Sequence, residues 1–112
     1  MQYALLIYAK PGSHEALSER DYQAALGEYM ALANDPRCVT SAQLQPIETA
    51  TTVRVENGTA MTTDGPFADT KEVFGGYYVF EAENLDEAIE LAGRIPAARL
   101  GGSIEVRPVV EG

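Results

Sequence analysis

The sequence predicts an α+β domain in which two strand-helix-strand halves flank an inserted β-hairpin. Three observations carry that expectation. Period-two apolar alternation at both ends of the chain brackets two segments whose apolar residues recur at helical spacing. Asn57-Gly58 separates two β-rich runs, a strong hairpin signal because a type I′ turn needs positive φ at both central residues. A length of 112 residues, 46% of them hydrophobic, fits one domain and leaves no room for a second core.

The elements follow in order. Gln2–Tyr8 reads as a strand with Tyr3, Leu5 and Ile7 on one face and Ala4, Leu6 and Tyr8 on the other. Being apolar on both faces, it belongs at the centre of a sheet. Ala9 to Ser18, with Pro11-Gly12, is a loop. Behind Ser18 as N-cap, Tyr22, Ala25, Leu26, Tyr29, Met30 and Ala33 form a helical stripe that ends at Asn34-Asp35-Pro36. Cys38–Leu44 is a second strand, and Thr51–Glu56 with Thr59–Thr63 makes the hairpin. Asp64–Glu72 is a loop with room for a short helical turn. Phe74–Glu81 is β-rich, its Gly75-Gly76 pair permitting a bulge or a close backbone approach.

Asn84 with Glu87 three residues on makes a capping-box start for a second helix. Its apolar stripe is Leu85, Ala88, Ile89, Ala92 and Ile95, and Pro96 stops it. Ser103–Val109 is the last strand, with Ile104 and Val106 on one face and Glu105 and Arg107 on the other. This order suggests the ferredoxin-like arrangement, an antiparallel sheet with two helices on one face. Two of its strands are apolar on both faces, so an uncovered apolar patch is expected, and with it a homodimer joined through the sheet faces.

Charge narrows the partners. Seventeen acidic residues against eight basic ones give a net charge of −9, which disfavours phosphate backbones and anionic membranes, so neither nucleic acid nor membrane is expected as a direct partner. No apolar run approaches the ~20 residues of a membrane span. The first residues lack the basic flank of a signal peptide. Lone Cys38 cannot form an internal disulfide, which fits a reducing cytoplasm.

The chemical candidates are few. Asp64-Gly65-Pro66-Phe67 is either a plain turn or a strand end whose carboxylate, with Asp69, Lys71 and Glu72 close in sequence, serves as a general base. His14 is the sole histidine, so it is either the imidazole base of the protein or a solvated loop residue. One histidine and one cysteine give no zinc spacing, and the acids show no calcium-loop pattern. The glycine pairs lack the neighbours of a phosphate-cradling loop, and no Gly-x-Ser-x-Gly elbow is present. Neither metal nor cofactor is therefore expected. Cys38 reads as a small core residue. Glu105 and Arg107 form a surface or interface salt bridge, or line a pocket floor with Tyr8. Tyrosines such as Tyr8 and Tyr78 suit an apolar wall that needs a polar tip.

Several runs in this order resemble one family. They are Tyr3-Ala4-Leu5-Leu6-Ile7-Tyr8, Thr52-Val53-Arg54, the stretch from Thr63-Asp64-Gly65-Pro66-Phe67 to Lys71-Glu72, Gly75-Gly76-Tyr77-Tyr78, and Ile104-Glu105-Val106-Arg107-Pro108-Val109. Together they resemble the YCII-related family, in its DGPF-domain group, over nearly the whole chain. The resemblance implies a single domain over residues 1–112 with a dimeric ferredoxin-like fold, two copies making an α-β barrel-like assembly. In the wider family a His-Asp pair in a cleft has been proposed as catalytic, and the fold resembles that of muconolactone isomerase. Asp64 is the acid that matches the DGPF motif, whereas His14 lies outside the matching runs. Related domains also occur with extracytoplasmic-function sigma factors.

Two functions are expected from this. One is a small dimeric isomerase or lyase acting on a compact molecule. Asp64 would be its base, with His14 as a second catalytic candidate. Lys71 and Arg107 would hold an anionic group, and Tyr8 and Tyr78 would shape the wall. The other is a non-catalytic module that binds a small ligand or a protein partner, linked to sigma-factor regulation, with Asp64 serving its own turn.

Overall fold

The central strand is β1, Gln2–Ala9, as its two apolar faces require. Residues 1–111 are described by the computed structural model. They continue with α1 (Glu19–Ala33), β2 (Cys38–Gln43), β3 (Thr51–Glu56), β4 (Thr59–Asp64), β5 (Val73–Glu81), α2 (Leu85–Gly93), α3 (Pro96–Arg99) and β6 (Ser103–Pro108). The main sheet has the order β2-β5-β1-β6, and every neighbouring pair is antiparallel. That is the ferredoxin-like order, with β3 and β4 forming a separate two-stranded sheet inserted between β2 and β5.

The helix-facing side of the sheet holds Tyr3, Leu5 and Ile7 of β1 with Tyr78 and Phe80 of β5. Leu32 of α1, Ala88, Leu91 and Ala92 of α2, Ile95, and Ala97 of α3 close over them. Cys38, Ile104 and Val106 pack at its margin. Burying these side chains is the main stabilising term, roughly 1.5–3 kcal/mol for each large one.

Local chemistry starts each helix where the residue types dictate. The Ser18 hydroxyl accepts the Asp21 N–H at 3.1 Å, and the Asn84 side chain accepts the Glu87 N–H at 2.9 Å. Asn57 at φ 50° and Gly58 at φ 79° make the hairpin turn.

The structure differs from expectation in several places. Pro96 does more than stop α2: it occupies the first turn of α3, where its fixed φ is an advantage and its missing N–H has no bond to lose. The buried stripe of α2 runs through Leu91, while Leu85 and Ile89 face outward, because the short helix meets the sheet about one position round from the predicted face. Ile47–Thr49 forms a single 3-10 turn. Asp64–Glu72 contains bends and no helical turn, since Gly65 takes φ 98° and Pro66 follows it.

After α1, the Arg37 guanidinium donates to both Asp35 carboxylate oxygens at 3.0 and 2.9 Å, and the Arg37 N–H donates at 2.8 Å. The guanidinium contacts first, and the backbone N–H second, hold the Asp35 carboxyl at about 2, against an ordinary 3.8. Folding therefore favours the ionised carboxylate. Its contribution is complete above the ordinary value and is lost as pH falls towards about 2. Asp35→Asn should accordingly lower the melting temperature near neutrality, and its deficit should shrink as pH drops from about 4 to about 2. Thermal scans across that range check it; a deficit independent of pH would refute the assignment.

Candidate functional site

A cleft of about 560 Å³ opens between α1 and the β2–β5 side of the sheet. One wall is a face of α1, where Tyr22, Leu26, Tyr29, Met30 and Ala33 follow one another at helical spacing. The apolar residues of α1 thus divide: Ala25 and Leu32 are buried, Tyr22, Leu26, Tyr29, Met30 and Ala33 line the cleft, and Ala24 and Ala31 are exposed. The opposite wall is Ser41 to Glu48. The floor is Val73 to Tyr78, which includes Gly75 and Gly76. A side chain on Gly76 would lie 2.7 Å from the Ala42 carbonyl oxygen, so β2 and β5 can approach only because that residue is glycine.

The loop from Lys10 to Leu17 roofs one end of the cleft. It turns tightly, with Gly12 at φ 80°, Ser13 N–H donating to the Lys10 carbonyl at 3.1 Å and Ala16 N–H donating to the Gly12 carbonyl at 3.0 Å. This winding brings His14 inward against α1. His14 Nε2 and the Tyr29 hydroxyl are 2.7 Å apart, and His14 Nδ1 is 3.2 Å from Ser13 Oγ. The rings lie 5.8 Å apart between centroids. With the ring proton on Nδ1, that nitrogen donates to Ser13 and Nε2 accepts from Tyr29. Burial pushes the Tyr29 phenol above the ordinary tyrosine range, so it keeps its proton near neutral pH. Burial likewise pushes Tyr78 up to about 12. The Tyr78 hydroxyl donates to the Tyr29 carbonyl at 2.8 Å and ties β5 to α1 behind the pair.

The candidate residues fall in four places. His14 and Tyr78 line the cleft. Lys71 lies in a shallow recess with Lys10, Pro11, Glu72 and Gly101, and Lys10 and Pro11 line the cleft as well. Tyr8 and Arg107 lie on the sheet face away from the helices. There Tyr8 packs against Phe74 with centroids 5.5 Å apart, and Arg107 donates to Glu105 at 2.7 Å. Asp64 is exposed at the end of β4, opposite Thr51, and is not among the residues lining the cleft. Among the described residues its carboxylate makes no ion pair or side-chain hydrogen bond. The turn is instead held by Gly65, whose N–H donates to the Ala50 carbonyl at 2.7 Å and whose carbonyl accepts from Thr52 Oγ1 at 2.8 Å.

Tyr29 and Lys10 line the cleft and are not among the candidates drawn from the sequence. Tyr29 sits within an apolar helical stripe and reads as core, and nothing local to Lys10 sets it apart from an ordinary loop lysine. Among the described residues no group of three or more His, Cys, Asp or Glu side chains is placed to hold a metal.

The YCII-related domain model matches residues 1–111. The chain belongs to the YCII-related family. A curated family relative, the uncharacterized protein R00369 of Rhizobium meliloti (strain 1021), is 32% identical over 114 residues, covering 97% of this chain and 92% of that protein. Among solved structures the YCII-related chain is similar to the 5-chloro-2-hydroxyhydroquinone dehydrochlorinase TftG of Burkholderia phenoliruptrix AC1100, solved in complex with 2,5-dihydroxybenzoquinone. That likeness has a TM-score of 0.56 at 20% identity, covering 100% of this chain and 96% of the other, and it shows a shared fold.

Proposed function

We propose that this YCII-related protein is a small-molecule enzyme of the isomerase or lyase type, working in the cleft beneath α1 with His14 and Tyr29 as its proton-transfer pair. The observation that carries the reading is the 2.7 Å contact between His14 Nε2 and the Tyr29 hydroxyl inside an otherwise mainly apolar cleft. Apolar walls with a few convergent polar groups are what small-ligand sites share. The chemistry runs as a relay. A substrate hydroxyl gives its proton to the Tyr29 oxygen as the Tyr29 proton passes to His14 Nε2. The electron pair left on the substrate then drives out a leaving group in a lyase. In an isomerase it redistributes, and the proton returns at another atom. The activity of the dehydrochlorinase that shares the fold supports a small hydroxylated ring as the substrate class.

The working unit in this reading is a homodimer. The chain exposes 7673 Å², where a compact monomer of this size exposes about 6000 Å². Its radius of gyration is 15.8 Å and its extents are 44 × 42 × 20 Å, against about 13 Å for a compact domain of this length. The surplus comes from two features. The sheet face bearing Ala4, Leu6, Tyr8, Tyr77 and Val79 has no helix over it, and the β3–β4 hairpin exposes Val53, Val55 and Met61. A two-stranded hairpin is marginal by itself in water, so a second copy is the natural support for it. Among the described residues no helix is long and apolar enough to cross a membrane. Unpaired, half-buried Cys38 fits a reducing cytoplasm.

The test is binding of 2,5-dihydroxybenzoquinone, followed by calorimetry, to the parent chain and to Leu26→Trp, which fills the cleft. Saturable binding to the parent that Leu26→Trp weakens by about 10-fold or more supports the site. Equal binding to both chains, or none to the parent, overturns it.

A further inference from the structure

The chain has only two lysines, Lys10 and Lys71, and the fold brings both to one recess at the rim of the cleft. From this convergence we infer that the recess is an anion subsite, and that the ligand of the cleft is a ring compound bearing a carboxylate. The inference rests on the cleft being a ligand site, as proposed above.

The electrostatics single out this spot. Four of the six arginines, Arg37, Arg94, Arg99 and Arg107, pair with a carboxylate. Among the described residues Arg20 and Arg54 make no ion pair, but neither lines the cleft or the recess. Among the described residues neither lysine has an ion-pair partner, although acidic residues outnumber basic ones 17 to 8. The carboxylate inside the recess, Glu72, accepts the Ser103 hydroxyl at 2.7 Å and is thereby tied to β6. The recess therefore carries a net positive charge in a strongly negative molecule, the local arrangement an anion needs against an adverse overall field.

Position does the rest. A Cβ on Gly101 would lie 3.2 Å from the Lys10 Cδ, so the Lys10 stem rests on that glycine. Lys10 and Pro11 line both the recess and the cleft, so the two spaces adjoin at these residues. Glu15 and Glu48 also line the cleft, and they repel an anion from the rest of it. A ligand is thus oriented with its acid group at the lysines and its ring along α1.

The test compares 4-hydroxybenzoate with its neutral isostere 4-hydroxybenzamide by calorimetry at low salt. The probes are titrated into the parent chain, Lys10→Met with Lys71→Met, and Lys10→Arg with Lys71→Arg. The acid should bind the parent about 10-fold more tightly than the amide. The methionine variant should lose that preference, the arginine variant should keep it, and added salt should reduce it. Equal affinity for the two probes in the parent, or a preference that survives in the methionine variant, overturns the anion subsite and leaves the cleft standing. Absence of binding by both probes to a parent chain that binds 2,5-dihydroxybenzoquinone overturns the subsite alone; absence of binding by all three compounds removes the cleft reading with it.

Discussion

The double substitution Leu6→Asp with Val79→Asp is expected to leave the chain folded and monomeric. On the open sheet face Leu6 lies opposite Tyr77 of β5, and Ala4 lies opposite Val79, so Leu6 and Val79 are diagonal neighbours at the centre of the apolar patch. Neither contributes to the helix-side core, where Tyr3, Leu5, Ile7, Tyr78 and Phe80 sit. The fold of the single chain should therefore tolerate both changes. A two-fold interface would instead bury every introduced carboxylate twice without a partner. An uncompensated buried charge costs about 3–5 kcal/mol, so association should weaken by at least about 1000-fold. Sedimentation velocity with circular dichroism reads both quantities. A parent chain that is monomeric at micromolar concentration, or a variant that remains dimeric, rules out pairing through the sheet faces.

The second large effect concerns the proton pair. His14→Gln should reduce turnover by about 100- to 10,000-fold, the usual contribution of a positioned acid or base. Tyr29→Phe should give a comparable loss, because it removes the hydroxyl that contacts Nε2 and donates the proton in the proposed relay, while keeping the ring. The double variant should be little worse than either single one, since both residues serve one transfer. Chloride release from 5-chloro-2-hydroxyhydroquinone is the first turnover assay to apply. Asp64→Asn, the substitution the DGPF motif invites, is the discriminating control. Asp64 does not line the cleft of its own chain, and its replacement should leave the rate within a few-fold. A large loss at Asp64 with none at His14 would instead place the chemistry at the hairpin base.

The two halves of this problem were unequally legible. Strand and helix periods, the Asn57-Gly58 turn, the caps Ser18 and Asn84, and the two apolar faces of β1 can all be read from neighbours in the chain. Those residues set φ and ψ or side-chain direction locally, and the structure keeps them. Reading failed where a rotation about a helix axis mattered. Leu85 and Ile89 satisfy the helical period of α2 as well as Leu91 does, and only the packing angle decides which enters the core. The same ambiguity concealed the cleft-facing side of α1.

What the sequence alone determined is the order and type of the elements, the sheet's two apolar faces and a charge balance that narrows the partners. The tertiary structure decided which polar groups meet. His14 and Tyr29 are 15 positions apart, and the two lysines come from opposite halves of the chain. The first encounter depends on how the Lys10–Leu17 loop winds over α1, and the second on how the Lys10 stem rests against Gly101 beside Lys71. Period and propensity act over a few residues, whereas these contacts are fixed by packing across the whole domain.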